Sequence, residues 1–176
     1  MERTIEIPND VQIEVDKFNF KVKGPKGNLE KDFYSPLFNK EIVIKKDGSK
    51  ITISSQSKKK KVKAMMGTIE AIVTNMMIGV KEAYVAKLKI VYMHFPFTVK
   101  LSSKEILVNN FLGEKSARKA RIVGDCKVEI QGDEVTVTGI SKEDVGQTTA
   151  QLERVTHIKN RDRRVFQDGI FITKKP

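Results

Sequence analysis

Residues 47–54, which read Asp-Gly-Ser-Lys-Ile-Thr-Ile-Ser, are echoed by residues 131–138, which read Gln-Gly-Asp-Glu-Val-Thr-Val-Thr. Each stretch is a glycine turn followed by alternating β-branched residues, a pattern typical of the returning strand of a hairpin. The two stretches begin 84 residues apart, which is close to half of the 176-residue chain. A repeat at this period predicts two copies of one structural unit.

A helix is predicted after each echo, beyond Ser57 in the first copy and beyond Ser141 in the second. In the first helix the apolar residues recur every three or four positions and Gly79 is the expected stop; they are Val62, Met65, Ile69, Ile72 and Met76. In the second helix Ser141 and Asp144 have the spacing of an N-terminal cap. Its face is more polar and consists of Val145, Thr148, Leu152 and Val155. Both faces are expected to pack against sheets.

Short alternating segments surround both helices and predict strands. They are residues 4–7, 11–15, 18–22, 29–33, 41–45, 50–54, 86–91, 98–101, 106–108, 119–123, 126–130, 134–138 and 169–173. Turns at residues 24–28 and at Asp47-Gly48 suit antiparallel pairing. The pattern predicts an α+β fold with two tandem similar domains, residues 1–81 and 82–176. Each domain is expected to be a mostly antiparallel sheet with one helix packed on a face.

The composition indicates a polyanionic partner. Lys plus Arg number 33 and Asp plus Glu number 22, so the net charge is +11 and the pI is near 9.7. Such an excess attracts nucleic acid or an anionic membrane.

No apolar run approaches the ~20 residues that span a bilayer, and the first residues lack the apolar core of a signal peptide. The single cysteine, Cys126, fits a reducing compartment. We therefore expect no membrane association and a cytoplasmic location.

The search for catalytic chemistry is negative. The chain has no Walker-type phosphate loop, no G-x-S-x-G elbow and no H-E-x-x-H helix. His94 and His157 lie far apart in sequence, and Cys126 has no second cysteine with which to form a zinc site. We therefore expect no enzymatic activity, no cofactor and no bound metal.

Three basic clusters remain. The first comprises residues 58–61 and Lys63, which place lysines at the start of the first helix, where cations oppose the helix dipole. A solvated lysine face and an external partner both fit it. The second, residues 115–121, contributes the RNA-binding candidates Lys115, Ser116, Arg118, Lys119 and Arg121. The third is residues 159–166, here called the arginine segment, with the candidates Lys159, Asn160, Arg161, Arg163 and Arg164. Guanidinium groups bind phosphate oxygens in pairs, so the last two clusters favour nucleic acid.

Two further residues of the closing stretch suggest how the arginine segment is held. Phe166 either stacks on a base or anchors the segment to the sheet, and its short distance to the final strand favours an anchor. Asp168-Gly169 predicts a turn in which Asp168 orients an arginine or a backbone amide. No recognition helix for duplex DNA is evident, so shape and backbone contacts to folded RNA fit better.

Three stretches resemble a known family. Residues 164–172 read Arg-Val-Phe-Gln-Asp-Gly-Ile-Phe-Ile and follow Arg161. The other two are Gly67-Thr68 with residues 75–80, which read Asn-Met-Met-Ile-Gly-Val, and residues 89–96, which read Lys-Ile-Val-Tyr-Met-His-Phe-Pro. Together they are similar to the large-subunit ribosomal protein six family of the archaeal and eukaryotic type, whose eukaryotic member is numbered nine. The resemblance covers essentially the whole chain in the right order.

The resemblance implies two similar α+β domains and a structural role in the large ribosomal subunit, in the cytoplasm. It implies binding to large-subunit rRNA chiefly through the C-terminal domain, near the sarcin–ricin loop and the stalk base. Neighbouring large-subunit proteins and elongation factors would lie nearby. On this basis residues 115–121 and 159–166 are the expected rRNA contacts, and the lysines of residues 58–63 are in the less engaged domain. A free-standing RNA-binding module and an RNA-processing factor are the alternatives.

Overall fold

Two α+β units follow one another along the chain. The computed structural model describes Met1–Pro176 without a gap. It divides into the units Met1–Ala83 and Tyr84–Pro176, here called the first and second domains. Every pair of neighbouring strands is antiparallel, and each domain has one α-helix. The predicted tandem α+β architecture is confirmed, although each domain divides its strands between two sheets.

The first domain contains six strands and the helix α1. In chain order they are β1 Glu2–Glu6, β2 Gln12–Asp16, β3 Asn19–Gly24, β4 Gly27–Asp32, β5 Val43–Asp47, β6 Lys50–Ser54 and α1 Lys60–Lys81. One sheet has the order β1-β6-β5 and the other β2-β3-β4.

The second domain repeats this arrangement and extends it. Its elements are β7 Tyr84–Val91, β8 Thr98–Ser102, β9 Glu105–Asn109, a 3-10 helix Phe111–Gly113, β10 Arg118–Arg121, β11 Lys127–Gln131, β12 Glu134–Gly139, α2 Lys142–Val155 and β13 Gly169–Lys174. The sheets β10-β9-β8 and β11-β12-β7 match β4-β3-β2 and β5-β6-β1 of the first domain. The strand β13, paired with β7, has no counterpart in the first domain.

The two echoed sequences are the turns and returning strands of matching hairpins. Asp47 pairs with Lys50 across one turn, and Gln131 pairs with Glu134 across the other. The glycines at these turns, Gly48 and Gly132, have φ of 57° and 58°. This left-handed conformation is open to glycine without steric cost, which explains why both copies carry it. The predicted repeat is therefore a structural repeat.

The buried face of α1 differs from the predicted one. Met65 and Ile72 are only partly buried, because their neighbours Met66 and Val73 occupy the centre of the contact. The helix also continues past Gly79, which is buried inside it. The buried apolar stripe is Val62, Met66, Ile69, Val73, Met76, Met77 and Val80. Adjacent pairs of apolar residues leave the rotation of a helix ambiguous by one position, about 100°.

The helix α2 matches its prediction more closely. The N-cap residue Ser141, just before the helix, accepts a hydrogen bond from the Asp144 N–H at 3.2 Å, as the capping spacing predicts. Val145 and Leu152 are fully buried. The buried Thr148 accepts a hydrogen bond from the Val123 N–H at 3.0 Å. The polar residue on this face therefore connects the helix to the chain beyond β10.

A close backbone contact fixes the end of α1 against the hairpin β3–β4. The Lys26 N–H donates to the Val80 carbonyl at 2.9 Å. A side chain at Gly24 would have its Cβ 2.7 Å from Val80 Cγ2 and 2.9 Å from the Val80 oxygen. Contacts this short cannot be relieved without moving backbone, so only glycine fits there.

We expect Gly24→Ala to destabilise the first domain by about 1–3 kcal/mol, because the added methyl overpacks a close backbone contact. Urea denaturation of the full chain, followed by resolved amide signals of the first domain, measures this loss. Gly67→Ala is the matched control, since its Cβ would lie 3.5 Å or more from the flexible Arg3 side chain. The control should be neutral or slightly stabilising, as alanine favours a helix over glycine. Equal stability of the two variants would contradict the close contact.

Candidate nucleic-acid interface

The arginine segment lies between α2 and β13, and a buried carboxylate holds the end of it. Asp168 is 2% exposed. Its carboxylate accepts hydrogen bonds from the Met93 N–H and, at 3.1 Å, from the His94 N–H, and it pairs with His94 Nδ1 at 2.8 Å. The expectation that Asp168 orients backbone amides is correct, and the arginine alternative is not. Asp168 thereby ties the start of β13 to the loop that follows β7.

These hydrogen bonds also set the acidity of Asp168. Burial acts to raise the pKa of its carboxyl, but the hydrogen bonds from the Met93 N–H, the His94 ring and the His94 N–H outweigh burial. The pKa of Asp168 is therefore held below its ordinary value of 3.8. The group is an anion at neutral pH, which strengthens each hydrogen bond that it accepts.

Phe166 is the anchor of the arginine segment. Its ring stacks on the His94 ring with the centroids 4.6 Å apart and the planes 28° apart. The Arg161 guanidinium carbon lies 4.8 Å from the Phe166 centroid. Asp168 thus fixes His94, His94 supports Phe166, and Phe166 supports Arg161. The contacts match the anchor expected from the sequence rather than a free base-stacking ring.

The carboxylate inside the segment is used by the backbone. Asp162 Oδ1 accepts from the Arg164 N–H at 2.9 Å. The Asp162 carbonyl accepts from the N–H groups of Val165 at 3.2 Å and Phe166 at 3.0 Å. Asn160 enters this turn in the left-handed region, with φ of 58°. The turn leaves Arg161, Arg163 and Arg164 exposed, together with Lys159 and Asn160.

In the second basic cluster Arg118 points into the protein. Its Nε and Nη2 donate to the two Glu114 oxygens at 2.8 and 2.6 Å. Its Nη1 donates to the carbonyls of Val155 at 2.8 Å and His157 at 3.0 Å. The guanidinium carbon also lies 4.5 Å from the Phe111 centroid. The hydrogen bond from Arg118 lowers the pKa of Glu114.

Arg118 therefore connects the two predicted binding clusters. It spans from its own strand to the chain just before Lys159, so its donors are taken by protein acceptors. The remaining candidates of its cluster, Lys115, Ser116, Lys119 and Arg121, are exposed. Lys119 Nζ lies 3.7 Å from a Glu105 oxygen with both side chains largely in solvent, an ion pair of small energetic value.

The first basic cluster differs in its surroundings. The N-cap of α1, Lys59, makes no side-chain cap, and the first turn has no acidic residue. Lys59 Nζ instead lies 2.6 Å from a Glu41 oxygen, and that contact lowers the pKa of Glu41. The other lysines of the cluster are exposed.

No group of three or more His, Cys, Asp or Glu side chains is placed to hold a metal ion. Neither helix combines the length and the apolar character that crossing a membrane demands. The fold and this surface define a class of protein: a duplicated α+β protein that presents a basic face.

The particular family follows from comparison with known proteins. The model of the family described as Ribosomal protein L6 matches the chain twice, over residues 7–83 and 95–169. Large ribosomal subunit protein uL6 of Methanosarcina mazei is 45% identical over 173 residues, which cover 98% of this chain and 96% of the relative. The uL6 of Archaeoglobus fulgidus is 44% identical over 180 residues, covering 99% and 90%. The chain belongs to the ribosomal protein L6 family.

The resemblance read from the sequence is thus confirmed, and the relatives named above are archaeal. Family membership makes the chain a structural constituent of the ribosome, located in the cytoplasm, and not an enzyme. Family membership therefore favours the ribosomal interpretation over the RNA-processing factor and the free-standing module. The two family matches fall one in each domain, as expected of a duplicated unit.

We expect Asp168→Asn to lower the free energy of unfolding of the second domain by about 1–3 kcal/mol near neutral pH, because charged hydrogen bonds are lost from a buried site. A carboxyl group whose pKa is lower in the folded than in the unfolded protein stabilises the fold at every pH above its unfolded pKa. The deficit should therefore be constant at neutral pH. It should shrink as the pH falls below about 3.8, where the carboxyl of the unfolded chain takes up a proton, and disappear once the pH passes below the lower pKa of the folded protein. Urea denaturation from neutral pH to about pH 3 measures it. Asp125→Asn, at an exposed carboxylate, is the control.

We expect Arg118→Lys to destabilise the second domain by about 2–3 kcal/mol, because an ammonium group cannot replace the forked guanidinium that meets four acceptors. Thermal denaturation of the full chain reports the loss. Arg121→Lys is the matched control on the same strand, and its exposed side chain should leave stability within about 0.5 kcal/mol. If both variants behaved alike, the inward contacts of Arg118 would have no structural value.

Proposed function

We propose that the chain is a constituent of the large ribosomal subunit that binds large-subunit rRNA near the factor-binding region and stabilises its fold. The observation that carries the proposal is the arginine segment, three exposed guanidiniums on a turn that the protein itself holds in shape. The names of the relatives, all large-subunit proteins, support the subunit. The resemblance of residues 161–172 to the family signature supports the proposed position near the factor-binding region.

The second domain, for which the sequence predicts residues 82–176 and the structure gives Tyr84–Pro176, is proposed as the main rRNA-binding domain. Its direct contacts are proposed to be Lys115, Ser116, Lys119, Arg121, Lys159, Asn160, Arg161, Arg163 and Arg164. Arg118 belongs to the same surface as a positioning residue, since its donors are taken by Glu114 and by two backbone carbonyls. Its role is to hold the two clusters together rather than to reach a phosphate.

The proposed mechanism is neutralisation and positioning. Exposed guanidinium and ammonium groups replace the counterions of the phosphate backbone, and counterion release drives association. A segment whose turn is already fixed loses less conformational entropy when it binds. The phosphate contacts then fix the register of a folded rRNA junction without reading its sequence.

The proposed position near the factor-binding region also implies which molecules lie next to the protein. Neighbouring large-subunit ribosomal proteins near the stalk base would pack alongside, and elongation factors would bind nearby. What supports this is the resemblance of residues 161–172 to the signature of the archaeal and eukaryotic branch. The lysines of residues 58–63 are not included in the proposed contact surface.

We expect the triple change Arg161→Ala, Arg163→Ala, Arg164→Ala to weaken binding to a large-subunit rRNA fragment that carries the sarcin–ricin loop. The loss should be roughly tenfold or more at low salt. The slope of log affinity against log salt should become shallower by roughly one for each phosphate that the variant no longer neutralises. Filter binding or fluorescence anisotropy from roughly 50 to 200 mM salt measures both quantities.

The matched control removes the same charge from the first domain, as Lys58→Ala, Lys60→Ala, Lys61→Ala. It should change affinity and slope much less than the arginine variant. A second arm uses a large-subunit rRNA fragment that lacks the sarcin–ricin loop, which should bind less tightly to the wild type. Equal losses for the two triple variants would overturn the proposed contact surface. Equal affinity for the two fragments would overturn the proposed location.

A further inference from the structure

A groove of about 480 Å³ runs beside the arginine segment in the second domain. One wall is the last turn of α2 with the residues that follow it, and the other is the chain from Arg163 into β13. The side chains that matter for recognition are Arg154, His157, Arg163, Phe166 and Phe171. None of the contacts proposed above, apart from Arg163, lines this groove.

At the floor of the groove, the hydroxyl of Thr156 and the backbone N–H of Ile170 are already hydrogen-bonded within the protein. Thr156 Oγ1 accepts a hydrogen bond from the Ile170 N–H at 2.9 Å and donates to the Glu153 carbonyl at 3.1 Å. Ile158 and Ile170, which also line it, are buried. Because these polar groups are satisfied within the protein, the floor is fixed and largely apolar. Recognition must come from the rim.

One aromatic face is available at the rim. Along β13 the side chain of Ile170 points into the core and is 1% exposed, whereas Phe171 is 44% exposed. The Phe171 ring lies beside Gly169, since a Cβ built on that glycine would be in ordinary van der Waals contact, 3.4 Å, with two ring carbons. Phe166, by contrast, is already stacked on His94. Phe171 is therefore the ring that can receive a planar ligand.

The rim is also basic. Arg154, His157 and Arg163 are exposed, and Glu153 is the exposed carboxylate among the lining residues. Asp168 lines the groove as well, but its carboxylate is bound to the loop that contains His94. The basic rim favours an anionic ligand, and the exposed ring of Phe171 favours one that carries a flat ring.

We propose that this groove binds one unpaired nucleotide of RNA, with its base against Phe171 and its phosphate against Arg154 and Arg163. The inference rests on the proposed binding of rRNA and adds to it a site that requires an unstacked base. Nucleobases stack on aromatic side chains whatever their sequence, and guanidinium groups hold the phosphate. An acidic peptide would satisfy the cations but would leave the ring of Phe171 without a partner.

The test titrates the full-length protein with adenosine 5′-monophosphate and follows backbone amides by heteronuclear NMR. We expect saturable shifts at Gly169, Ile170 and Phe171, with a dissociation constant in the millimolar range. Adenosine and inorganic phosphate, titrated separately, should each produce weaker shifts at these amides, because each supplies one half of the ligand.

Two variants probe the ring. Phe171→Ala should reduce affinity for the nucleotide roughly tenfold by removing the stacking face. Phe171→Tyr should bind as the wild type does. Phe95→Ala is the matched control, an equally exposed phenylalanine (48%) that does not line the groove.

Three outcomes would overturn the inference: no saturable shift at the groove, full reproduction of the shifts by inorganic phosphate, or equal losses for Phe171→Ala and Phe95→Ala. None of these outcomes tests the proposed function, because the nucleotide titration contains no rRNA. If the wild type still binds the rRNA fragment with the expected salt dependence, only the nucleotide site is wrong. If that binding also fails, the proposed function is wrong as well.

Discussion

The arrangement of the basic surface depends on the buried carboxylate of Asp168. A charge in a nearly inaccessible position is tolerated only when donors surround it, and here two backbone N–H groups and an imidazole do so. Those donors belong to the loop after β7, so the charge fixes that loop to the start of β13. The stacked pair His94 and Phe166, and the guanidinium of Arg161 above it, follow from that one constraint.

Arg118 gives the surface its second fixed point. It carries a positive charge in a chain with an excess of such charge, yet the protein uses it internally. A guanidinium is suited to this because its planar donors satisfy a carboxylate and two carbonyls at once. The basic residues therefore divide into those that build the surface and those that face outward from it, a division that depends on geometry and not on residue type.

Much of the fold could be predicted from the sequence, because strand alternation, glycine turns and the Ser141 cap are local signals. The rotation of α1 about its axis could not be predicted, because Met65 and Met66 fit the helical spacing of the apolar residues equally well. Within the site, the exposure of the arginines could be predicted, because the one carboxylate among them, Asp162, cannot neutralise three guanidiniums. The pairing of Asp168 with His94 crosses 74 residues, and the inward turn of Arg118 needs Val155 in place. Neither has a signature in neighbouring residues.

The strand β13, which the first domain lacks, closes against β7 across nearly the whole second domain. Pairing between residues so distant in sequence must close a long loop before it is stabilised, and non-local pairing of this kind slows folding. The arginine segment immediately precedes this strand, so its shape depends on a step that completes the domain. A partially folded chain would present its arginines on a disordered loop, and only the finished protein would present them as a surface. Competence to join a ribonucleoprotein is in this way coupled to the completion of folding.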